Sequence, residues 1–139
     1  MTDKRIHYRA GYRYQLARDY HIATRIRPKR AVDTDYIALD LTGALTVKAG
    51  YAWDGTSGPI VDTDNNLRAS LVHDAFYQLM RQRKLSSKKH KDKADKLFRS
   101  MCKQDGVLAP VAQIYYEALK KLGKPSTDPA NAKKVKRAP

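Results

Sequence analysis

The chain has 139 residues, 42% of them apolar, and a formal charge of +14 from 28 Lys and Arg against 14 Asp and Glu. That is enough apolar material for one ordinary core and not for two, and the lone Cys102 excludes an intrachain disulfide framework. No apolar run reaches the roughly eighteen residues of a spanning helix, and Met1 to Tyr8 lacks the apolar stretch of a secretory signal, so a cytosolic protein with at most peripheral membrane contact is expected.

The N-terminal half reads as β. Between Tyr8 and Ile26 the chain is rich in Tyr, Ile and Thr, and Tyr12, Tyr14 and Leu16 alternate with Arg13 and Gln15, which gives one apolar face. After Arg27-Pro28-Lys29-Arg30, the segments Tyr36–Leu41 and Ala44–Ala49 flank Thr42-Gly43, a two-residue hairpin signal. They lead into a loop, Trp53-Asp54-Gly55-Thr56-Ser57-Gly58-Pro59.

The C-terminal half reads as α. Asp64 or Asn65 can cap a helix running to about Arg83, with Leu67, Leu71, Ala75 and Leu79 as its core stripe. A second helix is expected from Ser87 to Gln104, burying Ala94, Leu97, Phe98 and Met101 and closed by Gly106. A third starts near Pro110, uses Val111, Ile114, Tyr115, Ala118 and Leu122, and stops at Gly123 and Pro125. Strands followed by about three helices predict one α+β domain over residues 1–124, with 125–139 as a basic appendage.

The chemistry concentrates around His73-Asp74-Ala75-Phe76-Tyr77. His73 and Tyr77 stand at i and i+4 and share a helix face, while Asp74 points about 100° away. A short Lys84-Leu85-Ser86 connection favours antiparallel helices, which lets Asp95 approach the first helix. The spacing suggests His73 as a general base, Asp95 orienting its other ring nitrogen, and Asp74 holding a cation. Gly55 and Gly58 permit backbone carbonyls to converge on a hard cation, to which Asp54 adds a carboxylate, and an all-oxygen set suits calcium better than zinc.

His-Asp-x-x-Tyr, a later Asp about one helix on, and a glycine-containing loop ahead of the His resemble the catalytic core of phospholipase A2 over roughly residues 50–102. The resemblance implies loop carbonyls of Trp53, Gly55 and Ser57 and the carboxylate of Asp74 as calcium ligands, His73 as the base, and Tyr77 and Asp95 as its support. Parvoviral capsid phospholipase domains are similar in the same helix, the Ala94-Asp95 pair and the lack of disulfides. A longer resemblance, over about residues 36–123, is to an uncharacterised family of bacteriophages and prophages. It rests on Val47-Lys-Ala-Gly50-Tyr51, the Trp53–Pro59 loop, Ser70-Leu-Val-His73-Asp74-Ala-Phe-Tyr77, Ala94-Asp95-Lys-Leu97-Phe98 and Tyr115-Tyr116 with Gly123. It implies a phage origin and a place in the bacterial cytoplasm or the virion.

The same residues also carry a structural account: Tyr77 as core with its hydroxyl on Asp95 or a loop carbonyl, Asp54 and Ser57 as an Asx-type turn, and Trp53 as the loop's anchor on the sheet. Two basic stretches stand out, Arg81 to Arg99 and Lys120 to Arg137. The first holds Arg81, Arg83, Lys84, Lys88, Lys89 and Lys91, expected to contact nucleic acid or anionic lipid. Three functions follow: a calcium-assisted phospholipid hydrolase, a non-enzymatic phage accessory or virion protein whose basic surface meets nucleic acid or another virion protein, and a host-directed effector. Zinc-ligand spacing, a Walker loop and Gly-x-Gly-x-x-Gly are absent from the sequence, and Ser57 and Ser70 are poor serine nucleophiles, the first lacking an elbow and the second one turn from His73 on one helix.

Overall fold

A computed structural model describes residues 5–9, 14–56 and 60–131. The N-terminal part forms two antiparallel sheets. The smaller has the order β1 (Tyr8–Arg9), β2 (Tyr14–Leu16), β7 (Ala52–Trp53), and the larger β3 (Tyr20–Ala23), β6 (Ala44–Val47), β5 (Ile37–Leu39), β4 (Val32–Asp33). Alternation decides which face is inward: Leu16, Tyr20 and Ile22 are buried while Gln15, His21 and Ala23 are exposed. Tyr12 and Arg13 lie outside the described residues.

The hairpin between β5 and β6 forms as expected, with Leu39 opposite Leu45, but its turn is one residue longer than Thr42-Gly43. Asp40 accepts from the Thr42 N–H at 2.8 Å and the Ala44 N–H at 3.0 Å. Leu41 and Thr42 therefore make the turn, and Gly43 follows at φ +92°.

Four helices follow, α1 (Leu67–Arg81), α2 (Ser87–Gln104), α3 (Ala109–Leu122) and the single turn α4 (Lys124–Thr127). The fold is α+β. The four-apart stripe Leu67, Leu71, Ala75 and Leu79 is buried, and so is most of the rest of α1, which runs through the middle of the core. α1 starts two residues later than an Asp64 cap implies and one later than an Asn65 cap implies. Asn66 takes the cap position, but its amide is spent on the preceding loop, accepting from the Thr63 N–H and donating to the Val61 carbonyl, both at 2.9 Å.

The two long helices end in the same motif with different residues. α2 closes with Gly106 N–H to the Lys103 carbonyl and Val107 N–H to the Cys102 carbonyl; α1 closes with Arg83 N–H to Met80 and Lys84 N–H to Leu79. The left-handed position is Gly106 in one and Arg83, at φ +60°, in the other.

α3 differs from its expected core stripe. It buries Ala112, Tyr116 and Leu119, while Val111, Ile114 and Leu122 are exposed at 36, 66 and 60% and Tyr115 and Ala118 are half-buried. Both faces of α3 are apolar, so periodicity alone could not choose. The choice follows the polar anchors: the Tyr116 hydroxyl bonds Asp92 of α2, and Lys91 of α2 reaches the Leu119 carbonyl at 3.0 Å. Beyond Gly123 the chain stays packed. Thr127 is buried, and Arg81 donates to the Ser126 carbonyl at 2.8 Å; residues 132–139 lie outside the described part.

Sheets and helices are joined through a buried cation. Arg68 of α1, 3% exposed, meets Asp105 with two bonds, Nε at 2.8 Å and Nη2 at 2.9 Å, while its Nη1 donates to the Tyr20 hydroxyl on β3 at 2.8 Å. Among the described residues no helix is long and apolar enough to cross a membrane.

Candidate active site

α1 and α2 bring His73, Tyr77 and Asp95 together. Asp95, fully buried, accepts at Oδ1 from His73 Nε2 at 2.8 Å and from the Tyr77 hydroxyl at 2.5 Å. Its Oδ2 takes Lys91 Nζ at 2.7 Å. Burial pushes the Asp95 carboxyl up, but the His73 bond and charge, Lys91 and Tyr77 together outweigh it and hold the group below the ordinary carboxylate range. An ionised Asp95 requires the proton of a neutral His73 to sit on Nε2, which leaves the Nδ1 lone pair free. Nδ1 has no hydrogen-bond partner among the described residues. His73 as a whole is buried, 5% exposed. The ring itself is fixed by Tyr77 at 4.0 Å and Phe98 at 5.4 Å between centroids.

Gly123 completes this wall. A Cβ there would lie 2.4 Å from the Tyr77 hydroxyl oxygen and 2.6 Å from the Leu119 carbonyl, so the end of α3 comes this close to the network only through glycine.

Asp74 faces elsewhere, as its 100° offset implies. It accepts from the Tyr51 hydroxyl, which also lies 3.2 Å from Gln78 Oε1. Burial, followed by the Asp74 charge and bond, raises the Tyr51 hydroxyl well above the ordinary tyrosine range. Since Tyr51 immediately precedes β7, Asp74 is tied to the strand that carries the loop.

In the loop, Trp53 is buried and donates from Nε1 to Ser70 Oγ at 3.0 Å. Its anchor is thus α1 as well as the sheet. Ser70 Oγ also donates to the Leu67 carbonyl at 2.6 Å, which occupies it structurally. Gly55 has φ +87°, and the inside of its turn is filled by Asp62, 2.2 Å from where a Cβ would stand. Asp62 accepts from the Thr56 N–H at 2.7 Å and the Tyr14 hydroxyl at 3.0 Å. Asp62 is thus a carboxylate that shapes this turn, and Asp54 is exposed. Ser57, Gly58 and Pro59 lie outside the described residues, and with them the third loop ligand and part of the Asx-type turn. Among the described residues no three His, Cys, Asp or Glu side chains converge on one point. The donors that Trp53, Asp54, Gly55 and Asp74 offer are all oxygen, the chemistry that suits calcium.

The six basic residues divide. Arg81 and Lys91 are used internally, on the Ser126 carbonyl and on Asp95. Arg83, Lys84, Lys88 and Lys89 are exposed and line one groove. Residues 31–119 match the family described as a protein of unknown function, DUF1353. The chain belongs to that family. No curated protein and no solved structure matches it. The DUF1353 span takes in His73, Asp95 and the Gly55 loop, but Tyr14 and Tyr20, which hold Asp62 and Arg68, come from strands ahead of it.

Sequence reasoning missed Lys91 as an internal partner of Asp95, although its i, i+4 spacing carries that signal. It also missed Asp62 and Gly123. The first closes a turn six residues back and the second meets Tyr77 of α1, a contact which no local pattern encodes.

Proposed function

We propose that this DUF1353 protein is a hydrolase that cleaves a phospholipid acyl ester, with His73 as general base. One observation carries the reading: Asp95 holds His73 by Nε2 and leaves Nδ1 as an oriented lone pair with no partner among the described residues. His73 takes a proton from water as the water oxygen attacks the ester carbonyl carbon. The imidazolium, steadied by Asp95, then returns that proton to the departing alkoxide, giving a carboxylic acid and an alcohol. Lys91 and Tyr77 keep Asp95 ionised and in place. Asp74 and the loop oxygens of Trp53, Asp54, Gly55 and Ser57 would hold a calcium ion, which would supply polarisation of the ester carbonyl.

A lipid substrate is supported by the +14 charge and by the exposed apolar residues of α3, Val111, Ile114 and Leu122, with Leu108 just before them. A phage or prophage source, with action in the bacterial cytoplasm or the virion, is supported by the motif resemblance. The test is fatty-acid release from anionic phospholipid vesicles, with and without calcium, by the wild type and by His73→Gln with unchanged circular dichroism. Release abolished in the variant supports the proposal. Vesicles left intact by the wild type under both conditions refute it and leave an accessory or virion protein, or a host-directed effector.

A further inference from the structure

A second region, away from His73, concentrates local choices that cost stability. Between the turn after β3 and the start of α2 runs an open groove of about 1160 Å³. Arg27, Lys29 and Arg30 line one side, and Arg83, Lys84, Lys88 and Lys89 the other, all exposed. The acidic residue in the lining, Asp33, is neutralised by Lys48 at 2.7 Å.

Three features of this groove run against local preference. Arg83 occupies a left-handed position where α2 uses glycine. Lys88 and Lys89 sit in the first turn of α2, at the positive end of its dipole, with no acid there to offset them. His90, 9% exposed and also lining the groove, has its Nδ1 buried without a hydrogen-bond partner. Separate local costs that converge on one surface mark a place where charge is kept for a ligand.

We propose that this groove is a docking site for the phosphate backbone of double-stranded nucleic acid. Seven exposed cations face one carboxylate that is already paired, which selects a polyanion. A concave surface receives a convex strand rather than a flat bilayer, and none of the large exposed apolar side chains lies in its lining. No Phe, Tyr or Trp lines it either, so there is no platform for stacking unpaired bases. Contact with phosphates alone makes the binding sequence-independent and steeply salt-dependent. The inference stands apart from the hydrolase reading, since it uses no residue of the His73 network.

The experiment is fluorescence anisotropy of the full-length protein with a labelled mixed-sequence DNA duplex of about 20 base pairs, from about 50 to 300 mM salt. Arg30→Gln with Lys89→Gln removes two groove charges; Lys120→Gln with Lys121→Gln removes two from α3. The groove pair is expected to weaken binding and reduce the salt slope by about 1.8, at about 0.9 per lost phosphate contact, with the α3 pair leaving the slope unchanged. Arg83→Gly is expected to weaken binding while raising the melting temperature, which separates lost contact from lost folding. No binding by the wild type at the lowest salt, or equal weakening by the two pairs, overturns the proposal. So does a groove pair that loses affinity for phosphatidylglycerol vesicles but not for the duplex.

Discussion

The hydroxyl of Tyr77 stands 2.4 Å from the point where the Cβ of any other residue at Gly123 would lie. A backbone position on one helix end thereby sets the place of a side chain that holds Asp95. Gly123→Ala is expected to displace Tyr77, to destabilise the fold by about 1–3 kcal/mol, as overpacking does, and to reduce any His73-dependent hydrolysis. Chemical denaturation and activity assays of the one variant check both effects.

Arg68 is buried and satisfied on two fronts, by Asp105 and by Tyr20. Arg68→Met leaves Asp105 without its cation and Tyr20 without its donor. A loss of about 3–5 kcal/mol is expected from breaking such a pair on one side, measured by urea unfolding. Restoring most of it with Asp105→Asn in the same chain would show that the cost is the abandoned charge.

Asp95 has a lowered carboxyl pKa, so its stabilising contribution is present above its unfolded value of about 3.8 and is lost as pH falls through the lower folded value. Wild type is therefore expected to exceed Asp95→Asn in stability at pH 7 and to lose that advantage in strong acid. Denaturation midpoints of the two proteins across pH 2–7 test it. A difference that stays constant over the range contradicts an ionised Asp95.

Cys102 is fully buried, and burial, followed by the nearby Asp105, pushes its thiol up to about 12. The native protein is expected to resist a thiol reagent at pH 8 and to react at once on unfolding. Reaction at the rate of a free thiol in the native state would contradict this burial.

Asp74 lies outside the His73 network, on the Tyr51 hydroxyl, and Asp74→Asn tests its proposed cation role alone. Calorimetric titration of chelator-stripped protein with calcium is expected to show saturable binding in the wild type and none in the variant, with Tyr51→Phe retaining it. Wild-type protein that takes up no calcium at millimolar concentration rejects the ion and leaves the His73–Asp95 geometry as it stands.

What the sequence made legible was local. The end of α2 follows from Gly106, the hairpin from two apolar segments around Gly43, and the meeting of His73 with Tyr77 from their i, i+4 spacing. Asp95 came within reach because the connection between α1 and α2 is short. What stayed hidden depends on partners far along the chain: Asp105 on Arg68, Gly123 on Tyr77, and Arg27 and Arg30 across from Lys88. α3 shows the limit best. Two apolar faces compete, and only Asp92 and Lys91 on the neighbouring helix decide which is buried.

Lys91 holds Asp95 with the same ammonium group that binds the Leu119 carbonyl. If the last turn of α3 detaches, the lysine loses one of its two anchors and the carboxylate loses the wall behind it. The arrangement around His73 is then complete only in molecules whose third helix is docked. Amide exchange in that turn would report the fraction of the population in which the network is whole, and a protease that clips near Gly123 would loosen it without touching His73 or Asp95.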